Sequence, residues 1–291
     1  MAYYRPAGQV FHFALPVSEF EPYQIIGEEP SAVVPVTVPS PLVLSCRSVG
    51  WVGGEQRDVE TWSAPPGILL KVAGGSDFYI SPGGHSIVRV GQDRNGNSPE
   101  SFLRLDREIL LGPALVLALA LRGTWCLHAS AAIFKDNLIV FLGESGQGKS
   151  TLAAYLTIPE DANWRLVADD ILPVTLSSDN VDAWPHFPQL KLPVEAQPGP
   201  SLPEQIPISK ICVLTHADMD KMPELELLQP SQSIQVLLRH TAGTRLFDSA
   251  LLAKHLDFCG RAAEQIPVYT LTYPHREDIL PKVRELLENL C

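Results

Sequence analysis

The stretch from Leu138 to Leu156 constrains the fold more than any other part of this sequence. An apolar run, Leu138–Leu142, leads directly into GESGQGKS (143–150), and the helix-forming stretch TLAAYL follows. The octapeptide fits the pattern G-x-x-x-x-G-K-[ST] between a strand and a helix, which is the sequence context of a phosphate-binding loop. Strand-like and helix-like segments alternate through the rest of this half, which indicates an α/β domain.

Each residue type in this loop has a chemical reason to be there. Glycines allow successive backbone N–H groups to turn inward around phosphate oxygens, and the helix N-terminus adds partial positive charge. Lys149 is predicted to bridge the β- and γ-phosphates, and Ser150 to ligate Mg²⁺. The predicted nucleotide-binding residues are Gly143, Ser145, Gly146, Gln147, Gly148, Lys149, Ser150 and Thr151.

The loop alone does not identify the reaction, because ATPases, GTPases and small-molecule kinases share it. The chain has neither an LSGGQ-type segment, typical of ABC ATPases, nor an NKxD-type guanine-binding motif. We therefore predict ATP with Mg²⁺ as the cofactor.

Two adjacent carboxylates, Asp169 and Asp170, follow the apolar stretch RLVA. One carboxylate of such a pair can hold Mg²⁺ while the other accepts a proton from an attacking hydroxyl. Adjacent residues of an extended strand point to opposite faces, so both reach one site only if the strand ends or is distorted there. A solvated pair at a strand end is the alternative. The phosphate loop upstream favours the catalytic interpretation.

His128, in the apolar stretch LHASA, lies 15 residues before Gly143. It is placed to contact a phosphate or to steer an aspartate, although a histidine in such a strand is more often part of the core. Lys191, Arg239 and Arg245 are weaker candidates for contacts with phosphate or substrate. Solvated surface positions are the alternative for all three.

Charge and composition exclude several classes of protein. The 291 residues include 22 basic and 33 acidic ones, a formal net charge of −11, which argues against a partner such as nucleic acid or an anionic membrane. The most apolar run, Ile109–Leu121, is shorter than the roughly 20 residues that span a bilayer, and we predict a buried helix within 102–122. Five scattered cysteines without C-x-x-C spacing favour the cytoplasm.

The first hundred residues differ from the rest. Short β-branched segments such as VVPVTV, LVLSC, ILLKVA and SIVRV alternate with clusters of proline and glycine, a pattern typical of strands and turns. We predict a β-rich N-terminal domain over 1–101, which positions a substrate or partner, and a catalytic domain over 102–291. The polar stretch 92–101 is the predicted boundary.

LHASAAI, VFLGESGQGKSTLA and RLVADDILPV together resemble the catalytic domain of the HPr kinase/phosphorylase family of bacterial serine kinases. The resemblance covers residues 124–176. FPQLKLP and IPVYTLTYP resemble HPr-kinase-related proteins of peptide-biosynthesis clusters, including kinases that tailor lasso peptides. We find no Gly-rich loop after the aspartates like that of the bifunctional enzymes, so phosphorylase activity stays open.

This resemblance implies the compact P-loop fold shared with phosphoenolpyruvate carboxykinases. It also implies Asp169 as the base, Asp170 as the metal-linked carboxylate, Lys149 as the phosphate ligand and His128 in support. The implied activity is ATP- and Mg²⁺-dependent phosphorylation of a serine hydroxyl on a peptide or small protein. Two alternatives remain: a kinase of an amino acid or sugar, and a nucleotide-binding accessory protein without phosphotransfer. The sequence also leaves open whether the chain forms a homo-oligomer.

Overall fold

A computed structural model describes residues 2–13, 18–25, 42–90, 104–157, 163–189, 192 and 202–291. The chain is of mixed α/β type, with two sheets and several helices. Its contacts divide it into two units. The first contains Met1–Thr124 with Gly243–Ala253, and the second contains Trp125–Ala242 with Lys254–Cys291.

A seven-stranded sheet of spatial order β1-β2-β7-β6-β5-β4-β3 forms the first unit. All neighbouring strands are antiparallel except β2 and β7. The strands are β1 (Ala2–Tyr4), β2 (Phe11–Phe13), β3 (Val43–Val52), β4 (Glu55–Ala64), β5 (Gly67–Val72), β6 (Asp77–Ile80) and β7 (Ser86–Val90). The β-rich character that the sequence predicts for this half is confirmed in the described strands. VVPVTV lies outside the described residues.

The predicted helix within 102–122 is interrupted. It consists of α1 (Arg104–Ile109), a wide π-type turn over Leu110–Ala114, and α2 (Leu115–Leu121). The turn falls at Gly112 and Pro113 because proline has no N–H to donate to the preceding turn of a helix. As predicted, the apolar residues of this segment are buried.

The second unit contains the remaining named elements, apart from the first residues of α5. They are β8 (Trp125–Phe134), β9 (Asn137–Leu142), α3 (Lys149–Leu156), β10 (Trp164–Leu176), β11 (Val181–Ala183), β12 (Ile206–His216), β13 (Glu224–Leu227), α4 (Pro230–His240), α5 (Ser249–Gln265), β14 (Val268–Tyr273) and α6 (Leu280–Leu290). Helix α5 begins in the first unit and continues into the second.

Strand order in this unit is β11-β10-β8-β9-β12-β14-β13, and β11 also pairs with β12. Strands β9, β12 and β14 run parallel to one another, so their carboxyl ends lie at one edge of the sheet. Strands β8 and β10 are antiparallel on the other side of β9. The loop that follows β9 therefore lies at the carboxyl edge, where open α/β sheets bind ligands.

Helices α3 and α6 cover one face of this sheet. Leu152 and Leu156 of α3 and Val283 and Leu287 of α6 are fully buried together with apolar residues of the strands. This packing fixes the N-terminus of α3, and with it the loop 143–148, against the sheet.

The grouping of helices differs from the sequence-based division. Residues 104–124 belong to the first unit, whereas the sequence assigns them to the catalytic half. The predicted linker over 92–101 lies outside the described residues. Among the helices that the structure describes, none is both long and apolar enough to span a bilayer.

Candidate functional site

The loop between β9 and α3 has a backbone that depends on glycine. Gly143, Gly146 and Gly148 adopt φ values of 153°, 85° and 81°, which side chains with a Cβ rarely tolerate. A Cβ at Gly146 would meet no atom within 4 Å, so there is open space at that point of the loop. Ser145, Ser150 and Thr151 are exposed at this edge.

Lys149 is the first residue of α3, and its chain folds back over the loop. Its Nζ donates to the carbonyl oxygens of Gly143 at 2.8 Å and of Glu144 at 3.1 Å. Only 8% of the residue is exposed. A buried ammonium is stable only when it is hydrogen-bonded or paired with an opposite charge. The two carbonyls therefore stabilise the charged ammonium beside the loop.

The loop also contains an unsatisfied polar atom. Gln147 Oε1 is buried and has no hydrogen-bond partner among the described residues. Leaving such a group unpaired costs about 1–3 kcal/mol. Only a donor, such as a hydroxyl group or a water molecule, would remove this cost. The fit to an anionic group such as phosphate rests on the buried ammonium of Lys149 and on the glycine-dependent backbone of the loop.

The strand register explains why the aspartates lie near this loop. Asp169 of β10 pairs with Ser130 of β8, and Ser130 in turn pairs with Phe141 of β9, two residues before Gly143. His128 lies two residues before Ser130 on β8, so the two side chains are on the same face of the sheet. Residues distant in sequence, 128–130, 141–143 and 169–170, thus meet at the carboxyl end of β9.

Asp169 is 8% exposed, and one hydrogen bond orients its carboxylate. Ser130 Oγ donates to Asp169 Oδ1 at 2.6 Å. Among the described residues Asp169 makes no other side-chain hydrogen bond. The Ser130 contact therefore orients the carboxylate and leaves Oδ2 as the oxygen available to accept a proton.

Asp170 has a strained backbone. Its φ is +133°, a region that non-glycine residues adopt at a cost of about 1–3 kcal/mol and that is concentrated at functional sites. In a regular strand, adjacent side chains point to opposite faces. Strand β10 continues through Asp169 and Asp170, and the distortion at Asp170 is what allows both carboxylates to lie on the side of Ser130 and His128. His128 Nδ1 lies 3.3 Å from Asp170 Oδ1.

Gln189, which lies in the stretch FPQLKLP but was not among the predicted site residues, holds this distorted segment. Its Oε1 accepts from the Asp169 N–H at 2.9 Å, while its Nε2 donates to the carbonyls of Ile171 at 2.9 Å and Phe187 at 3.1 Å. The side chain thus bonds to the backbone on both sides of Asp170. Because Gln189 is only 2% exposed, its contacts are protected from water.

The C-terminal end of α4 completes the surroundings of the loop. The N–H of Ala242 donates to the Cys126 carbonyl at 2.7 Å, which ties the end of α4 to β8. Arg239 Nε lies 2.6 Å from Glu144 Oε1 in an exposed ion pair. Such pairs contribute about 0–1 kcal/mol to stability, so the pair's main effect is to place an arginine over the loop.

His240 is a second residue that sequence reasoning missed. It is 7% exposed, and burial lowers its pKa to about 4. Glu144 opposes this shift in pKa, while Arg239, Lys149 and His128 reinforce it. His240 therefore lies among the charged groups of the site as a neutral imidazole at neutral pH.

Two weaker candidates lie elsewhere. Lys191 lies outside the described residues, as does most of the segment between β11 and β12. Arg245 belongs to the first unit, where its Nη1 is 3.5 Å from the Val49 carbonyl oxygen. Among the residues that the structure describes, no cluster of three or more His, Cys, Asp or Glu side chains is placed to hold a metal ion.

Comparisons with known proteins add little. No protein-family model matches the chain, and no curated protein sequence matches it significantly. The structure of the HPr(Ser) kinase/phosphatase from Coxiella burnetii is similar to part of it, with a TM-score of 0.32 and 14% identity over 56% of this chain and 94% of that one. A likeness this distant carries no argument about activity or substrate.

Proposed function

We propose that this chain is an ATP- and Mg²⁺-dependent kinase that phosphorylates a serine hydroxyl of a peptide or small protein. The observation that carries this proposal is the convergence of two features at one sheet edge. A glycine-dependent loop with a buried lysine lies beside a buried carboxylate that a serine orients. A nucleotide-binding protein without transfer would need only the loop.

The residues divide the work in the following way. Lys149, released from the carbonyls of Gly143 and Glu144, donates its hydrogen bonds to phosphate oxygens. Ser150 and Asp170 hold the metal, in keeping with the preference of Mg²⁺ for one or two protein oxygens together with phosphate and water. When bound, ATP supplies the phosphoryl group and Mg²⁺ offsets its negative charge.

Asp169 acts as the general base. Its Oδ2 takes the proton of the acceptor hydroxyl, while the Ser130 hydrogen bond keeps the carboxylate in one orientation. His128 orients Asp170, and Gln189 maintains the backbone that turns Asp170 toward the loop. Each of these roles needs a fixed geometry, and Gln189 and Ser130 provide it through buried hydrogen bonds.

The first test addresses nucleotide binding. Lys149→Met keeps the apolar length of the side chain but removes the ammonium, and a charge-assisted contact is worth about 1.5–3 kcal/mol. Calorimetry with a non-hydrolysable ATP analogue and Mg²⁺ should show a loss of roughly ten- to hundredfold in affinity. Lys254→Met, at an exposed position of α5, is the matched control. Equal affinity in Lys149→Met and the parent would exclude the loop as the phosphate site.

The second test addresses the acceptor. The parent protein is incubated with labelled ATP and a panel of precursor peptides ending in serine, HPr-like proteins, free serine and common sugars. We expect label on a peptide or protein serine. Label on free serine or a sugar alone would instead support a metabolite kinase, and label on none of them would support an accessory protein.

A further inference from the structure

Aromatic rings border the phosphate loop on the side away from the aspartates. Strand β12 ends at His216, and β14 ends at Tyr273, two residues before His275. Because β9, β12 and β14 are parallel, these residues lie at the same edge as the loop. A Cβ built on Gly148 would lie 3.4 Å from Tyr273 Oη and 4.0 Å from His275 Cε1, so the rings and the loop are direct neighbours.

The three rings form one cluster. The ring centroids of His216 and His275 are 4.7 Å apart at an interplanar angle of 74°, and those of Tyr273 and His275 are 5.2 Å apart. Tyr273 is 3% exposed, whereas both histidines are exposed. The buried tyrosine thus supports the cluster, and the two imidazoles form its exposed part.

The backbone beneath the imidazoles is braced. The N–H of Ala217, next to His216, donates to the Tyr273 carbonyl at 3.1 Å. Arg276, next to His275, donates from Nη1 to the Met219 carbonyl and from Nη2 to Asp278, both at 2.9 Å. These hydrogen bonds join the segments that follow β12 and β14. The backbone that positions the two rings is therefore preorganised for binding.

The chemical character of this surface suits a flat, uncharged ring. Met219 and Met222, in the segment after β12, are 55% and 57% exposed. The same segment has two acidic residues, Asp218 and Asp220, against one basic residue, Lys221, so its charge does not favour an anion. Partial burial and the neighbouring His216 lower the pKa of His275, which favours a neutral imidazole over a phosphate-binding cation.

We propose that His216 and His275 form the platform for the base of the nucleoside triphosphate, with one imidazole stacked on the base and the other, nearly perpendicular to the first, against its edge. This inference rests on the proposed nucleotide-binding function and adds a subsite to it. The aspartates lie on the β8–β10 side of the loop and the histidines on the β12–β14 side. A triphosphate with its terminal phosphate toward the aspartates directs its base toward the histidines, where every base has a face that stacks on an aromatic ring.

The test compares a ligand that carries a nucleoside with one that consists of the phosphate chain alone. Calorimetry in the presence of Mg²⁺ measures the affinity of a non-hydrolysable ATP analogue and of inorganic tripolyphosphate. The variants are His216→Ala/His275→Ala and the ring-preserving His216→Phe/His275→Phe. His85→Ala, at an exposed histidine of the first unit, is the control.

We expect the alanine pair to bind the ATP analogue roughly tenfold or more weakly, with tripolyphosphate affinity unchanged, and the phenylalanine pair to stay near the parent. An equal loss for both ligands, or no loss for either, would overturn the stacking platform. A loss of ATP affinity in the phenylalanine pair as large as in the alanine pair would also overturn it, because a flat ring would then not be what matters. None of these outcomes contradicts the proposed function. The proposed function would be contradicted if the parent bound neither ligand, or if Lys149→Met bound both ligands as tightly as the parent does.

Discussion

At the scale of single residues, Asp169 and Asp170 differ in what holds them. Asp169 is bonded through its carboxylate to Ser130, whereas Asp170 is strained in its backbone and faces His128. Asp169→Asn keeps the shape and the Ser130 contact but removes the proton acceptor. We expect phosphoryl transfer to fall by at least about a hundredfold, while affinity for the ATP analogue changes little.

Asp179→Asn provides the matched control, because Asp179 is exposed in the turn after β10. Single-turnover transfer and calorimetry on both variants separate chemistry from binding. If Asp169→Asn retained the parent's rate, the base would have to be another residue.

Gln189 gives a second prediction at this scale. Gln189→Leu removes three hydrogen bonds, to the Asp169 N–H and to the carbonyls of Ile171 and Phe187. Each unsatisfied group costs about 1–3 kcal/mol, so the free energy of unfolding should fall by on the order of 3 kcal/mol or more. We also expect kcat to fall more than KM for ATP rises, because Gln189 bonds directly to the backbone of Asp169, the proposed base.

Urea denaturation and steady-state kinetics check both parts of this prediction. Gln205→Leu, at an exposed position before β12, should resemble the parent in stability and rate. An unaltered free energy of unfolding in Gln189→Leu would contradict the bracing role.

The sequence predicts part of this site for a clear physical reason. A phosphate loop is local, so its glycines and Lys149 lie within eight residues (143–150), and their spacing is visible. Ser130 and Asp169 are 39 residues apart, and they meet only through the pairing of β8 with β10. The positive φ of Asp170 and the clamp by Gln189 depend on tertiary contacts, which no local pattern encodes.

At the scale of elements, strong helical periodicity in the sequence was enough to locate a helix, whereas weak periodicity was not enough to locate a strand. In the sequence, 230–239, 246–263 and 277–290 show helical periodicity, and the structure has α4, α5 and α6 there within a few residues. RLVAD and ILPVTL have the sequence pattern of two strands. They form the single strand β10, because its distorted residue interrupts the side-chain alternation. The short strand β13 was missed since its sequence, ELEL, has few buried residues to mark it.

The packing of α6 yields a prediction for this scale. Leu287 is fully buried against the sheet and α3, so Leu287→Ala removes apolar contacts and leaves a cavity. The free energy of unfolding should fall by about 2–5 kcal/mol. The same substitution at Leu256 of α5, which is 54% exposed, should cost no more than about 0.5 kcal/mol. Urea denaturation of both variants gives the comparison, and equal losses would place Leu287 outside the core.

At the scale of the whole molecule, the division into units was beyond local sequence patterns. Residues 243–253 belong with the first unit although more than a hundred residues separate them from Thr124. Helix α5 is continuous across this change of unit, so its periodicity shows no boundary. Composition indicated a β-rich first half, but contacts between distant segments determine where each unit ends.

The stability of the whole chain should depend on pH, and we expect two buried histidines, His240 and His255, to contribute most to this dependence between about pH 4 and 6.5. Burial lowers the pKa of both His240 and His255 from 6.5 to about 4 in the folded protein. Below about pH 6.5 the unfolded chain binds protons that the folded protein excludes, so their contribution to stability is present above that pH and is lost as the pH falls toward 4. At about pH 5 each histidine should lower the free energy of unfolding by on the order of 2 kcal/mol.

His255 allows this prediction to be isolated. It is 1% exposed, and its Nε2 lies 2.9 Å from Thr241 Oγ1. Thr241 Oγ1 donates to the Leu237 carbonyl, so it accepts from His255. His255→Gln keeps a donor near this position and removes the titration. Urea denaturation at about pH 7.5 and about pH 5 should show that this variant loses about 2 kcal/mol less than the parent on acidification. His85→Gln, at an exposed position, should lose as much as the parent. An identical loss in His255→Gln would show that this buried imidazole does not control acid stability.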